Sequence, residues 1–245
     1  MPKRMLLVLA LAVTTAVLAA GCSGSTSSSG GKDGTSTSGS QSGSGADSGS
    51  ETEFTAEVWA DNWFSLYVNG ELVGEDSVPI TTERSFNSET ITFRASYPLT
   101  IAMVTKDFKE DDSGLEYIGT DRQQMGDGGF IAQITDTSTG EVVAVTGADW
   151  RGLVIHRAPL DKSCESAADP DTACTSESSD EPDGWTEASF DDADWSEASI
   201  YSAVEIGTKD GYDTISWDSS AELIWGSDLE TDNTILWRYE VAAPS

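Results

Sequence analysis

Apolar and polar side chains alternate with a period of two through much of this chain. Phe64, Leu66 and Val68 alternate with Ser65, Tyr67 and Asn69, and Ile235, Trp237, Tyr239 and Val241 alternate with Leu236, Arg238 and Glu240. Successive side chains of a strand point to opposite faces, so this spacing predicts half-buried strands. Shorter runs rich in β-branched and aromatic residues at 90–95, 100–104, 130–134, 141–146 and 222–225 predict more of them. Asn69-Gly70, Gly128-Gly129, Thr139-Gly140 and Asp210-Gly211 supply turn chemistry between the runs. No stretch sustains a helical period. Many short strands with Gly-rich turns predict an all-β fold, an antiparallel sandwich. The 8 tryptophans suit its core and its aromatic edges.

The alternation begins only near residue 52. Residues 23–50 are almost wholly Ser, Gly and Thr, with Ala46 as the one apolar side chain. Such a segment cannot repay the entropy of ordering and reads as a flexible tether with a mean reach of about 30 Å. Before it, Lys3 and Arg4 precede an apolar run over 5–20, shorter than the ~20 residues of a spanning helix. That run ends in Leu18-Ala19-Ala20-Gly21-Cys22, which resembles the signal of bacterial lipoproteins. The resemblance implies cleavage before Cys22, acylation of Cys22 with palmitate-type chains, and anchoring in a lipid bilayer on the extracytoplasmic side. Ala19 stands where that pattern more often has Leu, and ordinary secretion is the alternative.

Cysteine usage fits export. With Cys22 assigned to lipid, Cys164 and Cys174 remain as one pair, read as a disulfide that staples an acidic, apolar-poor loop near 161–184. A metal site at these cysteines is disfavoured, because there is no CxxC spacing and only one histidine. The net charge of −30 excludes nucleic acid as a partner, since phosphate binding needs a basic face. Acidity also suits a calcium ion, which takes carboxylate and carbonyl oxygens. Asp228, Glu230 and Asp232, with Asn233, alternate before the last strand and are the candidate ligands for such a structural calcium; Asp169 and Asp171 lie in the stapled loop. Neither cluster has EF-hand spacing.

Catalytic chemistry finds few carriers. His156 lies in the strand-like run Leu153-Val154-Ile155-His156-Arg157 and reads as structural, no GxSxG is present, and no phosphate-binding glycine motif occurs. Asp191 and Asp192 are adjacent and would point apart, unlike a glycosidase carboxylate pair. Sugar recognition instead needs flat aromatic faces among polar neighbours. Trp63 beside Asn62, and Tyr212 and Trp217 in an Asp-rich loop, are the candidate ligand-binding residues.

Several motifs occur in an order that carries a family resemblance. Leu66-Tyr67-Val68-Asn69-Gly70-Glu71-Leu72-Val73-Gly74 resembles the LYVNGxxVG hairpin of galactose-binding-like jelly rolls. Phe130-Ile131-Ala132-Gln133-Ile134 with Thr139-Gly140, then Thr146-Gly147-Ala148-Asp149-Trp150-Arg151, resemble the following steps. Gly184-Trp185 and Phe190-Asp191-Asp192-Ala193-Asp194-Trp195 resemble the W…FDDxxW signature. The order is similar to the non-catalytic β-sandwich at the front of bacterial α-L-rhamnosidases. It implies a jelly-roll β-sandwich over 52–245, after a signal peptide at 1–21 and a lipidated linker at 22–51, and it implies no activity. A fainter resemblance links Ala60-Asp61-Asn62 to adhesin lectins of the anthrax-protective-antigen type, in which adjacent aspartates hold calcium against a sugar. Asn62 in the second place carries no charge, which weakens the case for calcium there.

The expectation is a tethered, non-enzymatic lipoprotein of the cell envelope whose sandwich binds a glycan. The alternatives are an assembly role through another envelope protein, and an uncharacterised hydrolase.

Overall fold

In the computed structural model, which describes residues 51–82 and 86–244, the first strand β1 (Thr52–Asp61) buries Phe54, Ala56, Val58 and Ala60 on one side. The signal-like segment, Cys22 and the Ser/Gly-rich tether lie outside the described residues. The chain then forms β2 (Trp63–Val68), β3 (Glu71–Glu75), β4 (Ser88–Ala95), β5 (Leu99–Lys106), β6 (Leu115–Glu116) and β7 (Gln124–Met125). These are followed by β8 (Gly129–Asp136), β9 (Glu141–Val145), β10 (Arg151–Arg157), β11 (Glu177–Ser178), β12 (Ser196–Glu197), β13 (Ser199–Tyr201), β14 (Leu223–Trp225) and β15 (Asp232–Val241). Two short helices interrupt them, α1 (Pro170–Ala173) and α2 (Ala203–Ile206). Among the described residues, no helix is long and apolar enough to cross a membrane.

The strands pair antiparallel in two main sheets. One runs β13-β14-β8-β1-β4, with β9 also on β8. The other runs β11-β10-β15-β5-β2-β3, with β12 also on β10. Phe54, Val58, Phe130 and Ile134 of the first sheet share a core with Phe64, Leu66, Ile101, Met103, Ile235 and Trp237 of the second. The protein is therefore an antiparallel β-sandwich, as the period-two pattern predicts. Asn69 (φ 52°) and Gly70 (φ 86°) make the β2–β3 turn, and the Asn69 side chain donates to Ser96 O and accepts from Thr100 N. Positive φ at both turn residues suits a tight hairpin between right-twisted strands.

Both outer faces are covered by irregular chain, and this was not legible in the sequence. Over the second sheet, Ala102, Val104 and Leu236 meet Trp185 and Trp195. Here the FDDxxW segment forms a lid. The side chain of Arg238 is fully buried, and it donates from Nε to Asp192 Oδ2 at 2.8 Å and from Nη1 to the carbonyls of Trp185 and Glu187. Asp192 thus holds an arginine, while Asp191 caps its own turn by accepting from Ala193 N. Over the first sheet, Trp59, Ile131 and Leu223 meet Phe86 and Ile206, with Tyr212 and Trp217 packed against them.

Cys164 and Cys174 form the expected disulfide, with their Cα atoms 5.4 Å apart. The loop they staple is more ordered than its composition predicts. It contains a 3₁₀ turn at Lys162–Ser166, capped by Asp161, and then α1, which starts on Pro170. Leu115 packs against both buried cysteines, and Gln123 donates to the carbonyls of Glu165 and Ala167. Alkylation should add two tags only after reduction, and reduction should cost roughly 2–3 kcal/mol by freeing the unfolded loop. Tagging of both cysteines without reductant would contradict the bond.

Candidate functional site

Polar side chains end five strands at one corner of the sandwich. β1 ends on Asp61, Asn62 turns the chain into β2, β5 runs into Asp107, Asp127 precedes β8, and β15 opens with Asp232 and Asn233. Backbone bonds tie these ends together. Asn62 N donates to Lys106 O, and Asp107 N donates to Asn233 O, each at 2.9 Å. Gly126 crosses so close that a Cβ there would collide with Asp107 Oδ2. Asp61, Asn62 and Asp107 are consequently at most 1% exposed.

Burying a carboxylate is costly unless something replaces its water. At this corner little does. Asn62 Oδ1 and Asp107 Oδ1 both accept from Phe108 N, at 2.5 and 2.6 Å. That leaves both oxygens of Asp61, Asp107 Oδ2, Asn62 Nδ2 and Asn233 Oδ1 with no hydrogen-bond partner among the described residues. Lys209 Nζ stands 3.9 Å from Asp61 Oδ2, an ion pair longer than a hydrogen bond. Burial, followed by the charge of Asp127, pushes the Asp61 carboxyl well above the usual carboxylate range; Lys209 pulls it back, and Glu116 adds a smaller push. Asp107 is pushed up in the same way by burial, then by Glu116, Asp61 and Asp127. Asp127, half-exposed, is raised by burial and drawn back by Lys209.

Four carboxylates thus repel one another here, with Asp61, Asp107 and Glu116 buried and Asp127 half-exposed. Among the described residues, no three Asp, Glu, His or Cys side chains converge on a single metal position. A cation here would rest on Asp61 and Asp107, with Asp127 and Glu116 adding field and carbonyl oxygen or water completing its shell. The donors are hard oxygens, which fit calcium. The side-chain oxygen of Asn62 already accepts from Phe108 N.

The acidic trio singled out from the sequence is arranged differently. Lys162 Nζ lies 3.3 Å from Asp228 Oδ2 and 2.6 Å from Glu230 Oε2. Arg157 Nε donates to Asp232 Oδ1 at 2.7 Å, and Asp232 Oδ2 accepts from Asp228 N. Each of the three is matched by a cation in this structure. The carboxylate oxygens without a hydrogen-bond partner among the described residues are instead those of Asp61 and Asp107 Oδ2, with Asp76 Oδ2 elsewhere.

The three aromatics also need correction as a ligand edge. Trp63 packs on the outer face of the second sheet, under the ammonium of Lys106 at 5.0 Å. Tyr212 and Trp217 pack over the first sheet, so they do not converge with Trp63. Tyr212 sits edge-on to Trp59 at 5.7 Å, and Trp217 Nε1 donates to Tyr212 O. Both are half-buried where turn residues suggested exposure. Trp217→Ala should therefore lower stability by roughly 1–3 kcal/mol, as loss of a half-buried aromatic does. An unchanged melting temperature would show that the ring is merely laid on the surface.

His156 is 6% exposed, and neither ring nitrogen has a hydrogen-bond partner. Its Nε2 lies 3.5 Å from Asp112 Oδ1, and burial holds its pKa below the usual value. Among the described residues, no hydroxyl is hydrogen-bonded to it. Beside the acidic corner, Val78, Phe86, Asn87, Asp210, Gly211 and Thr214 border an open hollow of about 360 Å³.

Searches among protein-family models, curated proteins and solved structures give no match to this chain.

Proposed function

We propose that this chain is a membrane-tethered, extracytoplasmic binding module, a jelly roll that holds calcium at the Asp61–Asp107 corner and binds a glycan beside it. The observation that carries the reading is a pair of buried carboxylates short of donors among the described residues: Asp61, with neither oxygen hydrogen-bonded, and Asp107, with Oδ2 unpartnered. Calcium takes six to eight oxygens, so an ion on two carboxylates keeps positions for carbonyls, water or ligand hydroxyls. The neighbouring hollow of about 360 Å³ falls within the range of small-ligand sites. A net charge of −30 disfavours polyanions, so the glycan class is neutral. The lipoprotein-like Cys22 and the Ser/Gly-rich arm would keep the module at the membrane.

A glycan array probed with the purified chain, in calcium and in chelator, tests the binding. Calcium-dependent capture of neutral glycans is the expected result. Capture of envelope proteins with no glycan signal would replace this reading by an assembly role. Fatty-acid labelling lost in Cys22→Ser tests the anchor separately.

A further inference from the structure

We infer that Lys209 is a built-in counter-ion of the acidic corner, competing with any divalent cation that binds there. The inference rests on the reading of that corner as a cation site.

Lys209 is placed by its surroundings. Helix α2 is closed by a capping box, in which Ser202 and Glu205 exchange side-chain and backbone bonds, and it stops at Gly207 in the left-handed region. The chain leaving it is fastened to the 86–88 segment. Trp59 Nε1 is shared between Phe86 O and Asp210 O, each at 3.1 Å, and Gly211 lies so close to Phe86 O that a Cβ would collide. Between these anchors the Lys209 ammonium sits 4.3 Å over the Phe86 ring and 3.9 Å from Asp61 Oδ2. Its side chain is 38% exposed while that of Asp61 is 1% exposed, so the ammonium has access to water and the carboxylate does not.

This geometry is that of an exchangeable charge. A structural ion pair would close to hydrogen-bond distance and satisfy the carboxylate, whereas neither Asp61 oxygen has a donor among the described residues. A lysine on a flexible four-carbon stem can withdraw its point charge into solvent at small cost. A dication entering between Asp61 and Asp107 meets the repulsion of that ammonium until it withdraws. Lys209 therefore offsets the field of Asp61 and Asp127 in the ion-free protein and weakens the affinity of the ion-bound one.

Calorimetric titration of the metal-free folded chain with calcium chloride, at low ionic strength, tests this on wild type and Lys209→Met. Methionine keeps the stem against Phe86 and deletes the charge. The variant should bind calcium about tenfold more tightly, from one unit charge acting on a dication at ~6 Å in a water-like dielectric. That advantage should shrink as salt is added. In chelator the same variant should melt lower than wild type, because the buried Asp61 carboxylate loses the ammonium beside it. Binding by Lys209→Met alone would support the inference in its strongest form. Equal affinities in the two proteins would overturn the role of Lys209 and leave the cation site standing. No heat with either protein would overturn both. Lys209→Gln, with circular dichroism of each variant, guards against a folding artefact and should repeat the result.

Discussion

Trp195→Ala is expected to destabilise the protein by roughly 3–5 kcal/mol, the usual loss for a large buried aromatic. Trp195 is 7% exposed, and its ring meets Phe190 at 5.5 Å and Trp185 at 6.3 Å. It also ends the turn that presents Asp192, through its own N–H to Asp192 O. That turn holds Arg238, whose side chain is wholly buried on β15. Removing the indole should thus loosen the lid and expose a paired arginine together with Leu236 and Val104. Breaking a buried pair is itself costly. Urea denaturation should show a much lower midpoint. A loss below about 1 kcal/mol would mean that the lid is surface decoration, since substitutions away from buried features fall in that range.

The second large effect is conditional on calcium. Asp107→Asn should raise the melting temperature in chelator and abolish the stabilisation that calcium gives to wild type. The sign follows from the raised folded-state pKa of Asp107 and Asp61. A carboxyl whose folded pKa lies above its unfolded value stabilises the protein fully at low pH, and that stability is lost as pH rises through the folded pKa. Near neutral pH each such group therefore counts against the metal-free fold. Asn removes the charge at nearly constant shape. In chelator, wild type should gain stability as pH falls from the raised pKa range of these two groups toward the ordinary carboxylate range. Asp76, pushed up to about 6 by burial, acts in the same direction. Calcium should flatten this dependence by holding Asp61 and Asp107 ionised. Differential scanning calorimetry in both media reads it, and an Asp107→Asn protein that melts lower in chelator would contradict the account.

Much of the sheet architecture was legible because its strands are half-buried and bounded by turns. Phe64, Leu66 and Val68 face the core as their alternation predicts, and Ile235 and Trp237 do so in β15. Strand β1 was easier to overlook, since Ala56 and Ala60 dilute its apolar face, although it is the neighbour of both β4 and β8. The outward positions of the second sheet gave a mixed signal. Leu236 and Arg238 read as a solvent face and are instead roofed by the Trp185–Trp195 segment. A roof made of irregular chain has no period to detect.

The acidic corner was hidden for a related reason. Asp and Glu are almost always exposed unless paired, so a chain with 43 of them offers no means of picking out the buried ones. Asp61 was noticed through its likeness to a lectin motif. Asp107 and Asp127 follow a lysine and a glycine in unremarkable sequence, and only the tertiary fold brings them near Asp61. The trio at 228–232 looked stronger by spacing, yet Lys162 and Arg157, distant in sequence, neutralise it. Tryptophans misled in the opposite sense, because a turn-rich loop can still pack its rings, as Trp217 does.

Native mass spectrometry with calcium measures the central claim most directly, using wild type and an Asp61→Asn, Asp107→Asn double variant under the same conditions. The account predicts one tightly held calcium per wild-type chain and none on the folded double variant. A wild-type chain with no calcium, or a calcium that persists on the double variant, would contradict it.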